Sequence, residues 1–119
     1  MARYEHLNIY KEAYNLALIL YKITSKFPKE DRALWNKLTY SIIDIIELVI
    51  RINSSITDER RELFEKLNMK LNLLSIFVRL SNDLSLFKRE NVYISILETI
   101  SKIIKMSKNW EWYNKKDEC

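Results

Sequence analysis

The sequence predicts an all-α protein, an up-down-up-down antiparallel four-helix bundle that forms a single domain over residues 1–119. Glycine is absent and Pro28 is the only proline, so the tight turns that connect strands are not available. Four stretches repeat apolar residues at spacings of three and four, and short polar links separate them. Because 48% of the residues are hydrophobic, a chain of this length can bury a core without disulfides.

The first predicted helix covers about residues 4–27. Its apolar side chains fall in two neighbouring registers, which indicates a broad buried face. Tyr10, Tyr14 and Tyr21 belong to one register, and tyrosines in such positions occur both at the edge of a core and at subunit interfaces. We expect this helix to end just before Pro28, which can open the next helix at its first turn.

The second predicted helix, about residues 29–54, is the one around which the others are organised. Its apolar residues cover more than half of the circumference, so we expect it to contact partners on two sides. Glu47 precedes Arg51 by four residues, the orientation that favours a helical ion pair. Its core-facing stripe consists of Leu34, Leu38, Ile42, Ile45, Val49 and Ile52.

The third helix is predicted over about residues 57–84 and the fourth over about 89–113. Ser55 or Thr57 can cap the third helix, and the polar residues after Tyr113 should fray. The apolar stripe of the third helix is Leu63, Leu67, Leu71, Leu74 and Val78, flanked by Phe64, Leu73 and Phe77. That of the fourth is Val92, Ile96, Ile100 and Ile103, with Trp110 one heptad further on.

Residues suited to catalysis are scarce, which disfavours an enzyme. The only histidine is His6 and the only cysteine, Cys119, is the last residue, so a nucleophile beside a base is not expected. The paired Glu-x-x-His motifs of di-iron bundles and CxxC metal sites are both absent, and we predict no catalytic residue, metal or cofactor. Asp44 and Glu47 could face a cavity, but such carboxylates more often lie on a solvated strip.

The apolar stretches are too short for a membrane span. None reaches the roughly 20 residues that a transmembrane helix needs, and charged residues interrupt the first helix where a signal peptide would be apolar. A lone cysteine gives no disulfide framework. We therefore expect a cytoplasmic protein that does not enter the membrane.

The charge balance is mildly basic, at +4, and favours an anionic partner such as RNA without requiring one. For each candidate cation, a solvated helix face is the competing interpretation. Tyr10, Tyr14, Trp35 and Trp110 could stack on bases, although their helical spacing also suits core or interface positions. The candidate nucleic-acid-binding residues are Lys102, Lys105 and Lys108 in one strip, and Lys66, Lys70 and Arg79 in a second.

Short motifs along nearly the whole chain resemble one group of helical bundles. The opening Tyr4, His6, Leu7, Ile9, Tyr10, Lys11, Ala13, Tyr14 and Leu16, followed by Phe27-Pro28-Lys29, Arg32 and Leu34, resembles the start of the four-helix-bundle proteins that include the rRNA intervening-sequence proteins. The ending Ile50-Arg51-Ile52-Asn53 and the late Trp110 are more similar to the accessory variability determinant (Avd) of diversity-generating retroelements. The intervening-sequence branch has a glycine-containing segment at the end of the second helix, which this glycine-free chain lacks.

The resemblance to Avd implies a homopentameric ring of bundles with a basic surface. Such a ring binds the element's reverse transcriptase and template RNA and supports mutagenic, adenine-targeting cDNA synthesis without being the polymerase. Arg51, in the family-like ending, would then act structurally or at a subunit boundary, together with the interface candidates Tyr10, Tyr14 and Tyr21. Two alternatives stay open: an intrahelical pair of Arg51 with Glu47 together with a cap from Asn53, and a bundle of the intervening-sequence type that serves only protein assembly.

Overall fold

The computed structural model describes the backbone of residues 7–118 and the side chains of residues 7–114. It contains four helices, α1 (Asn8–Thr24), α2 (Arg32–Ser54), α3 (Thr57–Asp83) and α4 (Glu90–Glu118). These residues include no strand. The all-helical prediction is therefore confirmed, and the arrangement is compatible with a four-helix bundle.

The helices stand side by side in a closed order. Helix α2 packs against α1 and α3, and α4 packs against α1 and α3, whereas the diagonal pairs α1/α3 and α2/α4 make no close backbone contact in the described part of the chain. Short links make successive helices antiparallel, and the bundle measures 49 × 22 × 21 Å. The prediction that α2 contacts two partners is confirmed.

The core forms along the apolar stripes of all four helices. In α2 the residues Leu38, Ile42, Ile45, Val49 and Ile52 are completely buried, while Leu34 is only half-buried near the start of the helix. Each fully buried leucine or isoleucine contributes about 1.5–3 kcal/mol relative to an exposed one. Among the predicted flanking residues of α3, Phe64 is buried and Phe77 half-buried, but Leu73 is exposed.

The two ends of the bundle are built differently. We call the end with the α1–α2 and α3–α4 links the loop end. There the Phe27 and Phe87 rings meet edge to face at 5.9 Å, and the Phe87 and Tyr93 rings stack at 5.9 Å. Aromatic pairs of this kind add about 0.5–1.5 kcal/mol to their burial, so they hold the two links together.

We call the opposite end, with the α2–α3 link, the network end. There the buried Ser107 hydroxyl donates to Asn68 Oδ1 at 3.0 Å, and Asn68 Nδ2 donates to Glu111 Oε1 at 3.4 Å. Arg60 Nη1 donates to Asn114 Oδ1 at 2.6 Å. These bonds tie α3 to α4 through polar side chains, beneath which the Phe64 and Trp110 rings pack edge to face at 5.2 Å.

The first link departs from its predicted form. Helix α1 ends at Thr24 instead of about residue 27, and the Thr24 hydroxyl donates back to the Leu20 carbonyl at 2.7 Å. Pro28 does not open α2 directly, because a 3₁₀ turn (Lys29–Asp31) comes between them. The expected start of α1 at residue 4 lies outside the described residues.

The ends of α3 and α4 also differ from prediction. Neither Ser55 nor Thr57 caps α3; the N-cap is Ile56, with no side-chain bond, and the Ser55 hydroxyl donates to the Ile52 carbonyl instead. After the C-terminal end of α3, Ser85 adopts a left-handed conformation with φ of 61°. Helix α4 continues past Tyr113, where fraying was expected, to Glu118.

Candidate interaction surfaces

A basic groove lies between α3 and α4. Arg79 from α3 and Lys102 and Lys105 from α4 line it, over an apolar strip of Ile94 and Leu97. The groove has a volume of about 460 Å³ and also contains Glu98 and Ser101. The structure thus joins Arg79 to the strip that contains Lys102 and Lys105, a combination that spacing within one helix does not predict.

The cations of the basic groove differ in their ion pairing. Lys102 Nζ lies 2.8 Å from Glu12 Oε1 of α1. Arg79, Lys105 and the nearby Lys108 are exposed and form no ion pair with another residue among those whose side chains are described. Unpaired exposed cations keep their full charge available to an anionic partner.

Lys66 and Lys70 lie on the opposite side of α3 from Arg79, so the second predicted strip is not one surface. Lys70 Nζ is 3.1 Å from Asp44 Oδ2 of α2, and Lys66 Nζ is 3.6 Å from Glu62 Oε1. Lys66 and Arg79 are 13 residues apart, which places them about 220° apart around the helix. These residues lie on two surfaces because Lys66 and Lys70 face α2, whereas Arg79 faces α4.

Arg51 lies between α2 and α3, in the same region as Asp44, Lys66 and Lys70. Its Nη1 is 3.9 Å from Glu47 Oε1, and both side chains are more than half exposed. The intrahelical pair predicted for these residues is therefore present in a loose, solvated form. Such a pair contributes little to folding, so Arg51 remains available to another surface.

The tyrosines of α1 border an uncharged surface. Tyr10 is half-buried and its ring lies 6.0 Å from that of Tyr14, while Tyr14 and Tyr21 are about half exposed. Leu18, which is not among the residues predicted for an interface, lies between them and is 58% exposed. We call Tyr14, Leu18 and Tyr21 the α1 stripe.

The α1 stripe faces outward on the side of α2. Glu12 reaches across to Lys102 of α4, and Tyr14 follows it by two residues, or about 200° around the helix. No charged residue occurs between Ala13 and Tyr21. Exposed Tyr40 and Ile43 of α2 extend the apolar surface around that corner of the bundle.

A second apolar surface runs along α3. Met69, Leu73, Ile76 and Leu80, which we call the α3 stripe, are all exposed, Met69 to 65% and Ile76 to 56%. Met69 lines the groove between α2 and α3 with Asp44 and Lys70, so the stripe lies on the α2 side of α3. This surface is not among the features predicted from the sequence, although the spacings of four, three and four mark one helical face.

The two tryptophans considered for base stacking pack against the core. Trp35 and Trp110 are both half-buried against the hydrophobic cluster, and Trp110 is held edge to face on Phe64. Packing against the core reduces the ring surface that could stack on a base. Trp112 and Tyr113, further along α4, are the exposed aromatic residues at the network end.

The described residues contain no group of three or more acidic, histidine or cysteine side chains that could hold a metal ion. His6 and Cys119 lie outside them. None of the described helices is long and apolar enough to cross a membrane. The surfaces described above offer apolar contact along two stripes and charge attraction in the basic groove.

Comparison of the chain with protein-family models, with curated proteins and with solved structures gave no match. The surfaces just described, together with the motifs in the sequence, are therefore the basis on which a function can be proposed.

Proposed function

We propose that this chain is a non-enzymatic accessory protein of the diversity-generating retroelement type, which forms a homo-oligomeric ring and binds template RNA and the element's reverse transcriptase. The observation that carries the proposal is that apolar and basic surfaces lie on different sides of the bundle. Two apolar stripes lie on neighbouring sides of the bundle, and a basic groove lies on another side. The motif resemblance to Avd supplies the identity of the partners.

Two distinct apolar stripes suit a ring better than a two-fold dimer. A two-fold dimer uses one self-complementary patch, whereas a ring joins two different patches head to tail. The α1 stripe faces the α1/α2 side and the α3 stripe faces the α2/α3 side. Because these sides are adjacent, successive head-to-tail contacts turn in one direction and can close, while patches on opposite sides would build a filament.

The exposed cations supply the RNA contacts. Arg79, Lys105 and Lys108 lie on the α3/α4 part of the surface, away from both stripes, so they stay exposed when the stripes are covered. A ring repeats the groove once per subunit, and repeated weak contacts to phosphates raise the overall affinity through effective concentration. Binding of this kind tolerates sequence changes and weakens with salt.

The assembly test uses two variants and their mixture. Light scattering after size exclusion should give a mass near five times 14.4 kDa for the unaltered protein. Leu18→Glu blocks one patch and Ile76→Glu the other, so each variant alone should be a monomer. Mixed together they retain one intact patch of each kind and should form a heterodimer, because the unaltered α3 stripe of one can meet the unaltered α1 stripe of the other.

Ile56→Glu is the matched control, because Ile56 is equally exposed but lies in the α2–α3 link outside both stripes. It should leave the mass of the ring unchanged. A ring that survives Leu18→Glu and Ile76→Glu contradicts the proposed interface. Two monomeric variants that stay monomeric on mixing contradict the head-to-tail arrangement.

The RNA test compares two double variants of equal charge. Arg79→Gln with Lys105→Gln should weaken binding of a structured RNA by about tenfold or more at low salt. Lys66→Gln with Lys70→Gln should change it by about twofold or less, because acids already neutralise these lysines. Fluorescence anisotropy over a series of salt concentrations measures both, and equal losses from the two variants would argue against the basic groove.

A bundle that serves only protein assembly is the second candidate. The pairing of Lys66, Lys70 and Lys102 with acids and the small net charge of +4 favour it. A ring that ignores RNA and does not co-elute with a reverse transcriptase encoded beside it would support this candidate. A ring that retains both would support the accessory function.

A further inference from the structure

A small pocket at the loop end is separate from the apolar stripes and from the basic groove. The pocket lies where the links meet the seam between α1 and α4 and has a volume of about 360 Å³. Its apolar floor consists of Ile23, Leu86, Phe87 and Val92. The Phe27 and Tyr93 rings hold Phe87 from the other sides, so the floor is a fixed part of the core.

Three cations surround that floor. Lys26 follows α1, and Lys88 and Arg89 precede α4, and all three are exposed. None of them forms an ion pair with a residue whose side chain is described, in contrast to Lys102 and Lys70. No acidic residue lines the pocket within the described part of the chain, and the positive end of α4 adds to the potential.

Like charges held together around an apolar floor repel one another and weaken the fold unless a ligand neutralises them. A phosphate or an RNA backbone would satisfy the cations but would leave the floor uncovered. A purely apolar group would cover the floor but leave three charges unneutralised. The arrangement fits a ligand that has an apolar group in the centre and carboxylates on both sides.

From this geometry we infer that the loop-end pocket binds an acidic peptide segment of a partner protein, with one large apolar side chain on the floor and flanking carboxylates on Lys26, Lys88 and Arg89. Charge complementarity around an apolar floor identifies this class of partner. The basic groove is different, because Glu98 and the Lys102–Glu12 pair already provide acids there.

The test uses blocked peptides with ligand-observed NMR, which suits weak binding to a large assembly. The probe is acetyl-EELEE-amide, and its leucine methyl signals should broaden on addition of the full-length protein. A matched QQLQQ peptide removes the charges and an EEAEE peptide removes the apolar group. Each change should lower the affinity by about tenfold or more.

Protein variants locate the site. Lys26→Gln, Lys88→Gln and Arg89→Gln combined should lower peptide affinity by about tenfold, and these exposed positions should not disturb folding. The control combines Lys22→Gln, Lys29→Gln and Arg32→Gln, exposed cations near the same end that do not line the pocket. It should change the affinity by about twofold or less.

Three outcomes would overturn the inference. These are equal binding of the charged and uncharged peptides, equal losses from the two triple variants, and tighter binding of inorganic polyphosphate than of the peptide at matched charge. The result is separable from the proposed function. Leu18→Glu and Arg79→Gln should keep the peptide site intact, and the Lys26, Lys88 and Arg89 variant should keep the ring.

Discussion

The loop end and the network end of the bundle contrast in how they treat their polar groups. Both are closed by aromatic pairs, Phe27 with Phe87 at the loop end and Phe64 with Trp110 at the network end. At the network end Arg60 binds Ser55 and Asn114. At the loop end Lys26, Lys88 and Arg89 have no such partner among the described residues. The contrast teaches that hydrogen bonds fix a cation at one end, whereas three cations at the other end have no ion pair among the described side chains.

The largest difference should come from removing an aromatic ring at each end. Phe64→Ala should lower the free energy of unfolding by about 3–5 kcal/mol, because Phe64 is 1% exposed and packs edge to face on Trp110 at the network end. Phe87→Ala should cost about 3 kcal/mol or less, since Phe87 is 8% exposed and lies in a link at the end of the bundle. Chemical denaturation at a fixed protomer concentration measures both losses. A greater loss from Phe87→Ala would mean that the aromatic pair at the loop end contributes more to stability than the pair at the network end.

The next largest difference in stability between the two ends should come from removing a cation at each. Arg60→Ala should cost about 1–2 kcal/mol, because the bonds to the Ser55 carbonyl and to Asn114 are lost. Lys88→Ala should change stability by less than about 0.5 kcal/mol, or raise it slightly by relieving repulsion. Arg61→Ala, at an exposed neighbour of Arg60, is the control and should also have little effect. Equal losses from Arg60→Ala and Lys88→Ala would show that the loop-end cations have structural partners.

A smaller change in stability is expected at Ser85, which also lies at the loop end. A left-handed residue follows α3, and the Leu86 amide donates to the Ser81 carbonyl at 3.0 Å in the usual way for a helix end. Glycine normally occupies this position, and this chain has none. Ser85→Gly should therefore raise the free energy of unfolding by about 0.5–1 kcal/mol. Ser101→Gly, inside α4, should lower it by about 0.5 kcal/mol, and a loss at both positions would contradict the cap.

The core of this bundle could be predicted from the sequence because each stripe is local. Spacings of three and four identified Leu38 to Ile52 in α2 and Ile96 to Ile103 in α4 as buried, and both sets are buried. Helix ends were less predictable, since Ser55 and Ile56 show that the best capping residue need not occupy the cap. A cap is fixed by the path of the link, which depends on packing.

The interaction surfaces were harder to predict, because they depend on which helices become neighbours. The sequence predicts one strip for Lys66 and Arg79, yet Lys66 lies on the α2 side of α3 and Arg79 on the α4 side. Lys26 and Lys88 are far apart in the sequence, and only the meeting of the two links brings them to one pocket. The spacing predicts Leu73 of the α3 stripe beside the core, although it is exposed, since periodicity alone does not show how wide a buried face is.

The smallest expected effect concerns Arg51, at the network end but outside its hydrogen-bond network. Arg51→Gln should change the free energy of unfolding by less than about 0.5 kcal/mol, because the 3.9 Å contact with Glu47 is solvated. Glu47→Gln should behave in the same way, and added salt should alter neither result. A loss above about 1 kcal/mol at constant protomer concentration would mean that Arg51 is part of the network. A small loss leaves Arg60, with its bonds to two different segments, as the cation that stabilises this end.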